Sequence, residues 1–336
     1  MTSVALIAVQ LEVNPEVLAT GDAYRAHIAD MVACAVEEAG EAEARLIVLP
    51  EIAGHLALLA TAPAAAHRAT TLSGALAASA VRRPLDVLRG VASTRTLAPK
   101  HAVLGALAPD GEKYWRSVFG PLARLHGAWI VAGSHLRLGA TGDLTNASFT
   151  FAPDGRCVAT TDKINLVPGM EDGAPKGLGL ARGDLEKLPV VDTPFGKLAT
   201  LICYDGFWCA HTTLERFAPV GERLAAKGGI TVVANPAANP WKWEGPWPPE
   251  SSAGFTDPAS RHATRAEQWR IEGLPGSLAA TRFARFGVTA HLVGRVLDLR
   301  FEGQSEILDG ERVLARVAQC DRGGHVTAIV RATEEP

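Results

Sequence analysis

The order of apolar and polar positions at the start of the chain predicts a strand, a helix and a second strand. Residues 4–9 form an apolar run, and residues 22–40 then place apolar side chains at helical spacing. A second run at 46–49 ends directly at Pro50 and Glu51. Apolar runs without polar alternation are typical of strands that are covered on both faces. The opening therefore predicts a β-α-β unit of an α/β protein, with Glu51 at a strand end.

The middle of the chain is less regular. Residues 56–108 are rich in alanine, and Pro63, Pro84 and Pro99 should break any long helix there. The pattern assigns this region no role beyond that of an insertion or an elaborated helical part. Clearer signals follow, namely an amphipathic helix at 115–125 ended by Gly127, a strand at 129–133, and a β-hairpin of 146–152 and 157–161.

A further apolar run, residues 198–203, stops abruptly at Cys203 and is followed by Tyr204, Asp205 and Gly206. We interpret the run as a buried strand that delivers a nucleophile, with Gly206 marking a turn into a helix. A thiol at a strand exit has backbone N–H groups nearby that can stabilise a tetrahedral intermediate, and the N–H of Tyr204 is the nearest candidate. The alternative is that Cys203 is a small buried apolar residue, as an arbitrary cysteine usually is.

Beyond the cysteine, the pattern predicts more strands and one long irregular segment. A helix at 214–227, interrupted by Pro219, leads to a strand at 230–234 that Asn235 and Pro236 close. Residues 237–277 combine tryptophans with many prolines and glycines over a length too great for a plain connection. We interpret this segment as an insertion or lid, a partner surface, or both. The last strands are predicted at 286–297, 303–308 and 326–331, and no linker divides residues 1–336 into two domains.

The composition is that of an ordinary globular protein, because 47% of the 336 residues are hydrophobic and 21% are charged. A net charge of −3 and the lack of a Lys/Arg-rich run argue against nucleic acid or an anionic membrane as a partner. No apolar stretch approaches the length of a membrane span, and the N-terminus lacks the basic start of a signal peptide, so we expect a cytoplasmic protein. The five cysteines are odd in number and scattered, which fits reduced thiols better than a disulfide framework.

Three residues suited to nucleophilic catalysis, Glu51, Lys163 and Cys203, stand at or just beyond predicted strand ends. A carboxylate can take the thiol proton, and a lysine ammonium favours both a thiolate and a developing oxyanion. We therefore expect Lys163 and the strand-exit N–H to lower the pKa of Cys203 and to make it the most reactive of the thiols. The chain has no G-x-S-x-G elbow, phosphate-binding loop, dinucleotide fingerprint or paired metal-binding motif that would suggest other chemistry.

These three residues lie in three separated sequence blocks. The blocks are LIVLPE at 46–51, DKINLVP at 162–168 and LICYDG at 201–206. In order and spacing they resemble the glutamate, lysine and cysteine blocks of the nitrilase or carbon–nitrogen hydrolase superfamily. Glu171 matches the second glutamate that many members carry beside this triad.

The resemblance implies a four-layer α-β-β-α sandwich with a pocket at the strand ends, and a homodimer or higher homo-oligomer. It also implies that Cys203 attacks the substrate carbon while Glu51 moves the proton. Lys163 and the backbone N–H of Tyr204 would stabilise the tetrahedral intermediate, and Glu171 would orient Lys163 or assist proton transfer. No cofactor and no metal are implied, so the expected ligand is a small-molecule amide or nitrile.

The leading hypothesis is a thiol-dependent hydrolase that cleaves a linear, non-peptide amide through an acyl-enzyme on Cys203. The sequence CYDG resembles amidase members, whereas nitrile-cleaving members more often carry tryptophan and glutamate after the cysteine. Nitrile hydrolysis and a soluble N-acyltransferase are the alternatives, and a non-catalytic binding protein with this fold is the least favoured. Residues 206–210 lack the proline-glutamate pair common in amidase members, which leaves the acyl group and the amine open.

Trp208, Asn235 and Trp241 are the expected substrate contacts. The strand at 230–234 should run beside the strand that carries Cys203, so the chain after Asn235 should begin near the nucleophile. The tryptophans of 237–277 could supply apolar contact area for an acyl group, but a dimer interface uses the same residues.

Overall fold

The structure is a computed structural model that describes residues 2–62, 64–82, 84–94, 99–173, 177–249 and 257–332. Within these ranges no helix is long and apolar enough to cross a membrane. The helix break predicted at Pro63 lies outside the described residues.

A strand, a helix and a strand open the described chain, a block of helices and a run of strands follow, and strands dominate its end. The helices are α1 (Gly21–Glu38), α2 (Ala53–Ala60), α3 (Leu72–Arg82), α4 (Pro84–Thr94), α5 (Pro99–His126), α6 (Val220–Lys227), α7 (Arg265–Glu272) and α8 (Leu274–Thr281). The strands are β1 (Thr2–Val13), β2 (Ala44–Val48), β3 (Trp129–Val131), β4 (His135–Leu138), β5 (Leu144–Phe151), β6 (Cys157–Asp162), β7 (Val190–Thr193), β8 (Gly196–Thr200), β9 (Ile230–Ala238), β10 (Ala284–Val296), β11 (Leu299–Phe301), β12 (Glu306–Asp309), β13 (Arg312–Arg316) and β14 (Gly324–Ala332).

The strands form one hydrogen-bonded sheet that curls into two facing halves. The strand order is β4-β5-β3-β2-β1 in the first half and β10-β9-β8-β7 in the second. Strand β1 joins them, because its last residues, Leu11 to Val13, pair in parallel with β10 while its earlier residues pair with β2 and β14.

The two-residue period of β1 builds two apolar layers at once. Val4, Leu6 and Ala8 pack between the halves against residues of β8, β9 and β10. Ala5 and Ile7 point the other way and pack against α1 and α5 on the outer face. Helices α6 and α8 cover the outer face of the second half. The result is the four-layer α-β-β-α sandwich that the sequence predicted.

Several predicted elements are confirmed. The β-α-β opening is β1, α1 and β2, and the predicted hairpin is the antiparallel pair β5 and β6. Strand β9 runs parallel to β8, beside the strand that precedes Cys203. It does not end at Asn235, however, but continues to Ala238. Beyond Ala234 it pairs with β10 alone, and a proline such as Pro236 is tolerated where one edge of a strand is free.

Three predicted boundaries are wrong. The cysteine-bearing strand ends at Thr200, and a single 3₁₀ turn, Cys203–Gly206, follows it instead of an α-helix. The helix predicted at 214–227 begins only at Val220, because Pro219 restricts the backbone and lacks an N–H. The strand predicted at 303–308 begins at Glu306, since the N–H of Ser305 is directed to a side chain, the Gln10 amide oxygen, at 2.8 Å.

Residues 56–108 form most of α2, all of α3 and α4, and the first part of α5. Pro84 and Pro99 are the first residues of α4 and α5, where the missing N–H costs no hydrogen bond. The helix predicted at 115–125 is the C-terminal part of the much longer α5. This region is therefore a helical elaboration that packs beside the first half of the sheet.

The described part of 237–277 contains the end of β9, all of α7 and the start of α8. Trp243, Trp247 and Trp269 are buried, so they are packing residues rather than an exposed surface. The buried guanidinium of Arg265 lies 3.9 Å from the ring centroid of Trp247, a cation–π contact. The role of this segment as a lid stays a prediction.

Candidate active site

Strand ends of both sheet halves bring Glu51, Lys163 and Cys203 together. Glu51 lies beyond β2, Lys163 directly follows β6, and Cys203 lies beyond β8. The three residues are only 2%, 1% and 4% exposed, respectively. Buried ionisable groups are costly unless they are paired, so such a cluster is a candidate functional site.

The ammonium group of Lys163 lies between two carboxylates. Its Nζ is 2.7 Å from Glu51 Oε1 and 2.5 Å from Glu171 Oε2. The same oxygen of Glu171 accepts the backbone N–H of Val167 at 2.9 Å, so the loop after β6 folds back onto its own lysine. The structure thus places Glu171 where it holds Lys163 in position.

Asn146 is the site residue that the sequence analysis missed. Its Nδ2 donates to Glu51 Oε1 at 2.9 Å and to Glu171 Oε1 at 3.0 Å, and its backbone oxygen accepts the N–H of Lys163 at 2.8 Å. The available signal was the hairpin register, which pairs Ala147 with Asp162 and so brings the preceding residue opposite Lys163. A buried asparagine there needs partners, and the two carboxylates supply them.

The pKa shifts in the cluster suit Glu51 as a base and keep Lys163 as a cation beside it. Burial raises the pKa of Glu51, and the charge of Glu171 raises it further, although Lys163 opposes both. Burial by itself would lower the pKa of Lys163, but the carboxylates of Glu171 and Glu51 hold it well above its ordinary value. Glu51 therefore has a higher proton affinity than an exposed carboxylate, which suits a general base.

The backbone of Cys203 has a φ of 49°, a left-handed conformation that non-glycine residues seldom adopt and that often marks functional sites. Its Sγ lies 3.6 Å from the carbonyl oxygen of Ala238, and the thiol is close enough to the Glu51 and Lys163 side chains for their charges to act on it. Burial raises the pKa of Cys203 well above its ordinary value, and the charge of Glu51 adds to this effect while Lys163 opposes it.

The expectation that Lys163 lowers the pKa of Cys203 below its ordinary value is therefore wrong for the resting site. The two carboxylates that flank the ammonium compensate its charge. Cys34 is exposed and Cys203 is buried, so we expect a general alkylating reagent to label Cys34 faster than Cys203. Burial thus favours the neutral thiol in the resting site.

Two polar side chains fix the loop that carries Cys203. The carboxylate of Asp205 accepts the backbone N–H of Asn165 at 2.6 Å, which ties the cysteine loop to the lysine loop. Asn235 Nδ2 donates to the carbonyl oxygen of Cys203 at 3.2 Å. Asn235, an expected substrate contact, thus supports the backbone of Cys203.

The remaining predicted residues lie around this core. Tyr204 is the second residue of the 3₁₀ turn, and the first N–H groups of a helical turn have no partner within it. Its role as a donor to an oxyanion stays a prediction. Trp208 is 44% exposed and its Nε1 donates to the carbonyl oxygen of Ile271 at 2.8 Å. Trp241 packs on Trp247, with 5.3 Å between ring centroids. Substrate contacts by Trp208 and Trp241 stay predictions.

A cavity of about 270 Å³ borders the charged cluster, since Asn146 and Glu171 are among its lining residues. Most of the other lining residues are aliphatic side chains of α2, α3, α5 and the turn between β10 and β11. Of the described residues of 237–277, Pro240 alone lines it. The cavity wall is therefore formed mainly by the region at 56–108, to which the sequence assigned no role.

Replacing Asn146 by leucine is expected to destabilise the protein by about 1–3 kcal/mol, because two buried carboxylates lose a hydrogen-bond donor. The turnover of a confirmed substrate should fall at the same time, since Glu51 loses one of the groups that hold it. Urea unfolding and steady-state kinetics measure the two effects. Asn146→Asp should be worse than Asn146→Leu, because it adds a like charge to the cluster; equal effects of the two changes would contradict this account of the network.

The curled four-layer α/β fold places a buried cysteine, carboxylate and lysine at its strand ends, an arrangement typical of an enzyme active site. Residues 8–251 match the family model for carbon-nitrogen hydrolases. The chain belongs to the carbon–nitrogen hydrolase family of the nitrilase superfamily.

Solved structures of this superfamily share the fold across nearly the whole chain. A carbon-nitrogen hydrolase from Helicobacter pylori G27 matches with a TM-score of 0.62 and 17% identity, covering 97% of this chain and 89% of its own. An amidase from Nesterenkonia sp. matches with a TM-score of 0.58 and 15% identity, covering 98% of this chain and 90% of the amidase chain. Saccharomyces cerevisiae Nit3, a member of branch 10 of the superfamily, matches with a TM-score of 0.57 and 17% identity. The match covers 97% of this chain and 90% of Nit3. A comparison with curated protein sequences gave no match.

Proposed function

We propose that the protein hydrolyses a linear, non-peptide amide through an acyl-enzyme on Cys203. The observation that carries this proposal is the buried cluster in which Lys163 pairs with Glu51 and Glu171 beside the thiol of Cys203. Glu51, Lys163 and Cys203 thereby bring a base, a cation and a nucleophile together at the strand ends. A binding protein would gain nothing from burying such a costly arrangement.

The geometry supports the following sequence of steps. Glu51 takes the thiol proton as Sγ of Cys203 attacks the amide carbon, and the carbonyl oxygen becomes an oxyanion. An ammonium has three N–H donors, and two of those on Lys163 are directed to Glu51 and Glu171, which leaves one for the oxyanion together with the N–H of Tyr204. Glu51 then gives its proton to the departing amine as the C–N bond breaks.

Water completes the reaction. It attacks the thioester carbon while Glu51 accepts a proton from it, and collapse of the second tetrahedral intermediate releases the acid. The proton on Glu51 returns to the thiolate of Cys203, which restores the starting state. Each step uses Glu51 alternately as base and acid, a role that the raised pKa of its carboxyl group favours.

The comparisons also favour an amide as the substrate. Variants of the Nesterenkonia amidase carry the product of Michael addition of acrylamide, or the acetamide moiety of fluoroacetamide, on the active-site cysteine. Identity with that protein is only 15%, so its substrates do not transfer directly to this chain. It does supply small amide-like probes for Cys203.

Incubation with a panel of primary carboxamides should give ammonia and an acyl adduct on Cys203. Ammonia release, intact mass and peptide mapping measure the products, with Cys203→Ala as the blank. Hydroxylamine should intercept the thioester as a hydroxamate. Nitriles as the preferred substrates, or turnover that requires an added acceptor amine, would replace the proposal by one of the two alternatives, and an adduct on another cysteine would refute it.

A further inference from the structure

We propose that the cavity beside the charged cluster binds a neutral aliphatic acyl chain of the substrate, so that the enzyme prefers amides of medium-chain or branched aliphatic acids. This inference rests on the proposed function, since it names the substrate class of the same site. It also gives the helical region at 56–108 a role in specificity, in place of the tryptophan-containing segment.

The walls of the cavity are almost entirely aliphatic. One side is formed by α2, α3 and α5 and the other by the turn between β10 and β11. The largest side chains on these walls are leucines and one phenylalanine, namely Leu58, Leu59, Leu76, Leu104, Leu297 and Phe301. Side chains of this kind gain free energy from contact with hydrocarbon.

The cavity also has a polar end that matches an amide. Asn146 lines it, and because Nδ2 of this residue donates to the two carboxylates, Oδ1 is its remaining polar atom. That oxygen is buried and has no hydrogen-bond partner within the described chain. A buried unpaired acceptor is costly, and the N–H of a bound carboxamide would satisfy it. Met170 packs against the hydrophobic cluster around Cys203 and also lines the cavity, which connects the cavity to the nucleophile.

Three ionisable side chains on the walls bear on the choice between a neutral and an anionic chain. Burial, with the charges of His135 and Lys163, lowers the pKa of His55 to about 3, so its imidazole is neutral near neutral pH. Lys100 lies at the start of α5, and its Nζ already contacts the carbonyl oxygen of Gly177 at 3.5 Å. A terminal carboxylate would also face Glu171, a like charge. The walls therefore favour a neutral chain.

The volume of the cavity limits the length of the acyl chain that it can hold. At about 270 Å³ the cavity lies just below the range of roughly 300–1,000 Å³ typical of ligand pockets, so it suits a short to medium chain better than a long one. Within that limit kcat/KM should rise about fourfold per added methylene, which corresponds to about 0.8 kcal/mol. The rise should stop once the chain fills the cavity.

The test compares acetamide, butyramide, hexanamide, octanamide and succinamate as substrates of the intact protein, with ammonia release as the readout. Leu76→Gln makes the α3 wall polar and should flatten the dependence of kcat/KM on chain length. Ala75→Leu fills part of the cavity and should move the preference to shorter chains. Leu85→Gln is the matched control, because Leu85 is exposed on neighbouring α4 and does not line the cavity, so its profile should match the wild type.

Calorimetric binding of the same amides to Cys203→Ala separates this inference from the proposed function. Length-dependent binding without any turnover by the wild-type protein would refute the hydrolase and leave the acyl site standing. Turnover with no dependence on chain length, or with succinamate preferred, would overturn the acyl site and leave the hydrolase standing. A change of oligomeric state in Leu76→Gln, seen by light scattering, would overturn it too, since the cavity would then hold a second copy of the chain.

Discussion

Cys203→Ala is expected to lower kcat on a confirmed amide by a factor of about 10⁴ or more, because the variant retains no atom that can form the acyl-enzyme. Removal of one sulfur from a buried position should change the fold little, so amide binding should persist. The residual rate would come from whatever Lys163 and the Tyr204 N–H contribute to a direct attack by water. Steady-state kinetics and intact mass, which should show no acyl adduct, measure the effect.

Cys209→Ala is the matched control for this experiment. Cys209 lies six positions after the nucleophile but is half-buried, and the turn at Cys203–Gly206 does not include it. The control should keep near wild-type activity. If Cys203→Ala kept more than a few per cent of the wild-type rate while Cys209→Ala lost activity, the nucleophile would have been assigned to the wrong cysteine.

The main architecture could be predicted from the sequence because its strands are buried on both faces. Apolar runs such as residues 4–9 and 46–49 are explicit in the pattern, and the second ends directly before Pro50 and Glu51. Glu51 and Cys203 could be found for the same reason, since a polar residue straight after a covered strand lies at the edge where strand ends gather. Their mutual contacts required the three-dimensional arrangement of two sheet halves.

Asn146 and the cavity could not be found in this way. Asn146 lies inside a strand, and its importance depends on which residue faces it across the hairpin. The leucines of α2, α3 and α5 are far apart in sequence, and any amphipathic helix would carry similar residues on its buried face. Only the packing of these helices beside Glu171 shows that part of their apolar surface borders a cavity instead of filling a core.

The direction of the pKa shift of Cys203 could not be predicted from the sequence either. A lysine near a thiol suggests a thiolate, but the sign of the shift depends on burial and on every other charge nearby. Here burial and the charge of Glu51 outweigh Lys163, whose ammonium is already shared between two carboxylates. Removal of the thiol proton by Glu51 is therefore more important in this site than the residue types alone indicate.

Glu51→Gln is expected to reduce kcat by a factor of about 10² or more while leaving amide binding nearly intact, because it removes proton transfer and keeps the shape of the side chain. The wild-type pH profile provides a second readout. Glu51 acts as a base only when it is ionised, and its pKa is raised from 4.5. The plot of kcat/KM against pH should therefore fall on the acid side with an apparent pKa above 4.5, and Glu51→Gln should lose this limb.

Glu171→Gln tests the cause of that raised pKa. The charge of Glu171 raises the pKa of Glu51, whereas Lys163 lowers it. Without the second carboxylate, Lys163 is compensated by Glu51 alone and stabilises its ionised form more strongly. The acid limb of kcat/KM should then move to lower pH, even if the maximum rate falls because Lys163 is less well held. An acid limb that stayed in place in Glu171→Gln and persisted in Glu51→Gln would show that another group is the base.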